Sequence, residues 1–148
     1  MRLDQSLELK YIAVTLLVVA SVVGVARLSK GEAGLCREVF QGLVKGRQSV
    51  QKRIDWGRLK AMGVDVGATY AHLPDERARA EYRRLFVEHF SKGFLQTGAS
   101  LGDFVRWRVQ TQTPEEVVVA VDYPAKQKTL LLTLPATGAK RIQAIQWQ

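Results

Sequence analysis

The hydrophobic period of this chain changes once, and that change restricts the fold more than any other feature. Before Gly98 apolar residues recur three and four positions apart, and after it they alternate. Leu35, Val39, Leu43 and Val50 mark one face of a first helix read over Leu35–Val50, with Phe40 and Val44 widening the stripe. Gly42 and Gly46 weaken that helix, and two glycines four apart allow another backbone to approach closely. A short second helix is expected over Ile54–Met62, capped by Asp55 and stopped by Gly63, with Gly67–Leu73 as a connection. The third helix has the strongest signals. Leu73-Pro74-Asp75-Glu76 starts it, Gly98 stops it, and Tyr82, Leu85, Phe86, His89, Phe90 and Phe94 form its apolar stripe.

Four strand-like segments follow: Phe104–Thr113, Glu115–Tyr123, Gln127–Pro135 and Arg141–Trp147. They are rich in Val, Leu, Ile, Thr and aromatics and are separated by turn residues. In the first, Val105, Trp107 and Val109 alternate with Arg106 and Arg108. Short connections join antiparallel neighbours, because a parallel pair needs a long crossover. The expected fold is therefore α+β: three helices packed on a curved four-stranded antiparallel sheet, with the third helix lying across it.

Tyr11–Ala26 contains no charge and is bracketed by Lys10 and Arg27. A helical bilayer span needs about 20 apolar residues, with a range of about 17–25. Lys10, Arg27 and Lys30 can snorkel and lengthen this run. A cleavage site at Gly24-Val25-Ala26 competes, but Asp4 and Glu8 dilute the positive charge a signal peptide needs. The sequence thus predicts residues 1–30 as a tail and transmembrane anchor holding membrane lipids through Tyr11–Ala26, a hinge over Gly31–Gly34, and residues 31–148 as one domain. The corresponding placement is single-pass in a cell inner membrane, with the domain extracytoplasmic.

The formal charge of +8 suits anionic headgroups or acidic partners. No nucleic-acid motif accompanies it. Cys36 has no partner for an internal disulfide and reads as a helix-face thiol. His72 and His89 have no spacing partner for a metal, no phosphate loop or nucleophile elbow is present, and no cofactor is expected.

The element order over Leu35–Trp147, the segment IDWGRLKAMG ahead of the long helix, and the ending RIQAIQW resemble the nuclear transport factor 2-like group of cystatin-like α+β rolls. The resemblance implies a cone-shaped pocket between the long helix and the concave sheet, lined here by Tyr70, Tyr82, Phe86, His89, Phe90 and Trp107. Members of that group include steroid isomerases, dehydratases and binding or assembly modules, among them an inner-membrane component of type IV secretion machines. Periplasmic phospholipid carriers have a related build. The enzyme members aim paired acids, or His with Asp, at a bound carbonyl. This chain departs from them: His89 reads as a packed histidine, Asp122 as a turn residue, and Asp55 and Asp65 equally as caps or turn residues. The expectation is a membrane-anchored, non-enzymatic interaction module, an accessory subunit of a membrane complex or a homo-oligomer, with Arg106, Arg108, Lys126 and Lys128 meeting a partner or headgroups. The alternative is a carrier of lipid or an apolar small molecule. An isomerase or dehydratase would need His89 and an acid to converge in one cavity.

Overall fold

The computed structural model describes residues 31–148. Helix α1 occupies residues 31–44, so Gly31–Gly34 is helical and not a hinge. Ala33, Cys36, Val39, Phe40, Leu43 and Val44 are buried and form its inner stripe. The helix ends earlier than expected because Gly46 turns left-handed at φ 68°. Arg47 N–H then bonds Gly42 O at 2.9 Å and Gly46 N–H bonds Leu43 O at 3.1 Å. Those two bonds are the paired closure that satisfies a helix's last carbonyls. A 3-10 turn, Gln48–Arg53, folds back from this cap. Its buried Val50 side chain lies where a Cβ on Gly42 would sit. Gly42 thus admits a side chain, while Gly46 supplies a backbone conformation.

The expected helix over Ile54–Met62 is absent, and its residues join the sheet. Ile54 bridges Ile142 in parallel. Asp55 N–H donates to Ile142 O at 2.9 Å, Lys60 N–H to Gln143 O at 3.0 Å, and Met62 N–H to Ile145 O at 2.8 Å. Strand β1 (Lys60–Ala61) and strand β2 (Val64–Asp65) form a hairpin across Met62 and Gly63, whose φ values are 51° and 81°. Two successive positive φ angles define the tight turn whose twist matches paired strands. A local helix would have left the far edge of the last strand unpaired, so tertiary pairing overrides helix propensity here.

Helix α2 (Val66–Ala71) replaces the expected connection, and Asp65 caps it by accepting from Ala68 N–H at 3.0 Å. Helix α3 (Glu76–Gln96) starts at Asp75, which accepts from Ala78 N–H at 2.8 Å, and ends before Gly98 at φ 75°. Its outer face carries Arg84 between Glu81 and Glu88, and Lys92 on Glu88. Its inner face buries Val87 fully, while Tyr82, Leu85, Phe86, Phe90 and Phe94 are half-buried. The helix buried most deeply is therefore α1 and not α3. The small and aliphatic stripe of α1 packs into the common core, and α3 meets it along Phe40–Phe90 and Phe40–Phe94 ring contacts at 6.3 and 5.9 Å.

Strands β3 (Val105–Gln112), β4 (Glu116–Tyr123), β5 (Lys128–Pro135) and β6 (Ala144–Trp147) pair antiparallel in sequence. The sheet is nevertheless not four-stranded and not purely antiparallel. Among the described residues it is six-stranded and mixed, in the order β2-β1-β6-β5-β4-β3, with β1 parallel to β6. Val117, Val119, Val121, Leu130, Leu132, Leu134 and Ile145 are fully buried. Strand β3 also departs from simple alternation. Its register slips between Val105 and Arg108, where Arg106 takes φ 60°, and again between Val109 and Thr111. The first bulge turns Trp107 toward Phe40 at 5.7 Å and leaves Val105 exposed.

Among the described residues no helix is long and apolar enough to cross a membrane. Helix α3 has the length, with 21 residues, but charges stud it throughout. The transmembrane, single-pass and inner-membrane description with an extracytoplasmic domain is corrected on that finding. The Tyr11–Ala26 segment that prompted it lies outside the described residues.

Two outcomes follow from this packing. A Cβ on Gly67 would meet the Gly57 carbonyl, and backbone there cannot swing aside. Gly67→Ala is expected to cost about 1–3 kcal/mol in urea unfolding. Burial, with the nearby Glu32 charge, pushes the Cys36 thiol up to about 12. In the native protein at pH 8 an aromatic disulfide reagent should therefore react with Cys36 no faster than the chain unfolds, and immediately in denaturant.

Candidate ligand cavity

A cavity of about 540 Å³ opens between the C-terminal half of α3 and one end of the sheet. Phe90 and Phe94 reach it from α3 and Thr97 from the cap that follows, and Gly93 leaves a gap in that wall. Phe40 of α1 closes its back, Met62 of the β1–β2 turn forms part of its rim, and Phe104, Tyr123, Leu130 and Trp147 come from the sheet end. Phe104 and Tyr123 stack at 4.7 Å with planes 3° apart, and Tyr123 and Trp147 lie 6.1 Å apart. Stacked rings of this sort build a rigid apolar wall.

Two cations stand at the mouth. The 3-10 turn Pro124–Lys126 and the left-handed Gln127 at φ 53° carry the chain from β4 into β5. Lys126 and Lys128 flank that residue and both line the cavity. Lys128 opens the face of β5 that continues into fully buried Leu130, Leu132 and Leu134, and its Nζ sits 5.6 Å over the Trp147 ring. Neither lysine forms an ion pair among the described residues.

The residues expected to line one pocket are divided among three places. His89 and Phe90 line the cavity, although His89 is exposed. No carboxylate lines it among the described residues, so nothing there would pair with His89 for proton transfer. Tyr70, Tyr82 and Phe86 do not line the cavity but gather around Trp56, with Trp56–Phe86 at 5.3 Å and Tyr70–Tyr82 at 6.2 Å, and meet its wall through Phe86–Phe90 at 6.3 Å. Arg83 locks that cluster by donating to Tyr70 Oη at 2.6 Å, Glu76 at 2.8 Å and Gln51 at 3.2 Å. Trp107 lines a second, more open recess with Arg37, Gln41 and Arg106. The β1 pairing explains the division: it sets Trp56 against Phe86 and, with Tyr70, beside Tyr82, N-terminal along α3 to the residues of the cavity. Phe94 and Thr97 continue the stripe of His89 and Phe90, and that continuation was the available signal for them. Phe104, Tyr123 and Trp147 carried no local signal, since only the strand register brings them together.

The four basic residues expected on one surface also separate. Lys126 and Lys128 belong to the cavity mouth. Arg106 and Arg108 are engaged by Asp122 at 2.9 and 3.1 Å. Thr129 Oγ1 also donates to Asp122 at 3.2 Å. No group of His, Cys, Asp and Glu suited to a metal occurs among the described residues.

The hydrogen bond from Arg108, with those from Thr129 and the charge of Arg106, holds the Asp122 carboxyl below the usual carboxylate range. A lowered native pKa stabilises the fold above the ordinary carboxylate range, and that contribution is lost as pH falls through the native value. Asp122→Asn should be less stable than the native chain at pH 7. The gap between the two should narrow in unfolding titrations carried to about pH 3. Comparison with family models, with curated proteins and with solved structures found no match for this chain.

Proposed function

We propose that residues 31–148 form a non-enzymatic binding domain that takes an apolar small molecule into the aromatic cavity. The observation that carries this reading is the cavity wall: rings from α1, α3, β4 and β6 surround about 540 Å³, with no carboxylate among the described lining residues. Ligand pockets are mostly apolar, hold a few placed polar groups, and span roughly 300–1,000 Å³. A catalytic reading would need an acid opposite His89, and the described residues of this wall supply none.

Docking of a protein partner, or of a second copy, is a second reading. It draws on the position of β3 at the end of the sheet, where a further strand can add. Two bulges and the exposed Arg106 work against strand addition there, as irregular and charged edges do generally. Asp122 also occupies both arginines that were expected to meet an acidic partner. The cavity reading therefore takes precedence.

Gly93 supplies the test. A Cβ built on it meets open space, and replacing glycine within a helix carries no propensity cost. Gly93→Phe should fill the cavity while leaving the melting temperature equal or higher. The neutral fluorophore N-phenyl-1-naphthylamine should bind the native full-length chain saturably, one per chain, and bind Gly93→Phe at least about tenfold more weakly. Absence of saturable binding by the native chain, or equal binding by the variant, would overturn the proposal.

A further inference from the structure

We infer that the ligand is an anionic amphiphile with a single apolar chain, its tail among the rings and its negative head between Lys126 and Lys128. This rests on the cavity reading and adds the chemistry of the head. Six of the eighteen Lys and Arg side chains among the described residues form ion pairs, and of the other twelve only Lys126 and Lys128 line the cavity. Arg83 holds Glu76, Arg84 holds Glu81 and Glu88, Lys92 holds Glu88, Lys140 holds Glu32, and Arg106 and Arg108 hold Asp122. Lys126 and Lys128 have no such partner among the described residues, and they stand at the cavity mouth.

Their placement is fixed by the backbone. The Pro124–Lys126 turn closes with Gln127 N–H bonding Pro124 O at 3.0 Å, and the left-handed Gln127 reverses the chain between the two lysines. Strand pairing of Tyr123 with Lys128 then puts the Lys128 ammonium beside the aromatic wall and not on the far face of the sheet. Lys128 over Trp147 is a cation held against a ring face, partly stripped of water on that side. An ammonium beside an apolar cavity attracts an anion more strongly than one in open solvent, because the low-dielectric wall screens it less. With no acid on the described wall, a cationic ligand finds no counter-charge there, and a neutral one leaves both ammonium groups unanswered. The head class is a carboxylate, sulfate or phosphate monoester, which share negative charge and acceptor oxygens. The cavity size, inside the range for drug-sized ligands, suits one chain and not a two-chain lipid.

The full-length protein can be titrated with decanoate, 1-decanol and decyltrimethylammonium, each displacing N-phenyl-1-naphthylamine at low ionic strength. Decanoate should displace the fluorophore at least about tenfold more effectively than decanol, with decyltrimethylammonium the weakest. Added salt should narrow the difference between decanoate and decanol. The double variant Lys126→Gln/Lys128→Gln should lose the preference for decanoate over decanol. Both lysines are exposed, so an unchanged melting temperature will show that the variant is folded. Equal displacement by decanoate and decanol, or a preference for the cation, would overturn the anionic head while leaving the cavity reading intact. A preference that survives in the double variant would overturn the assignment to these lysines. Failure of every chain to displace the fluorophore would count against the cavity reading itself.

Discussion

Phe40 is the contact on which the arrangement of layers depends. Its ring touches Phe90 and Phe94 of α3, Phe104 before β3, and Trp107 within β3, and only 2% of the residue is exposed. One side chain on α1 thus fixes the distance between the second helix layer and the sheet end. It also forms the back of the cavity, so the depth of the site and the packing of the core are set by the same group. Removing a ring of this kind from a core costs about 3–5 kcal/mol, most of which here would be felt where α1, α3 and β3 meet. The stacked Phe104–Tyr123 pair extends the wall outward, and Trp147 completes it from β6.

The parts of the fold legible in the sequence are those decided locally. Helix α3 announces itself through Pro74, Asp75 and Glu76 at one end and Gly98 at the other, and the cap on Asp75 forms as such a start signal implies. Strands β3 to β6 show themselves by β-branched alternation. The segment around Ile54 to Ala61 was not legible, because its state is set by a partner more than eighty positions away in sequence. Its apolar residues suit either a helix or an edge strand, and the open side of β6 decides between them. Helix α2 carried a signal that competed with nearby glycines: Asp65 stands three residues before the amide it accepts from. The two bulges of β3 were invisible for a different reason. Alternation of Val and Arg reads the same with or without an inserted residue, and only the register with β4 exposes Val105.

The cavity was half legible. His89 and Phe90 follow from the stripe of α3, whereas Tyr82 and Phe86 lie on the same stripe but one or more turns away, where Trp56 and Tyr70 of α2 occupy the space. A helix of 21 residues is about 30 Å long, so one apolar stripe can serve two clusters, joined here at Phe86–Phe90. The lysines stood out in the sequence as charges on a strand segment. Their association with the rings depends on the left-handed Gln127, a conformation no residue type there demands.

The position of β6 has a kinetic meaning. It lies inside the sheet, between β5 and β1, yet Lys60 pairs with Ala144 across nearly all of the intervening domain. A nascent chain can build α3 and the β3–β4–β5 hairpins from neighbours, but the hairpin of β1 and β2 has no sheet to join until β6 is in place. Loop-closure entropy must be met before that contact stabilises anything, which slows the last step of assembly and leaves an apolar seam open meanwhile. Ile54 and Leu59 would face water in such a partly assembled chain, so crowded translation would expose this protein to self-association at that seam before it could do so at any surface of the finished fold.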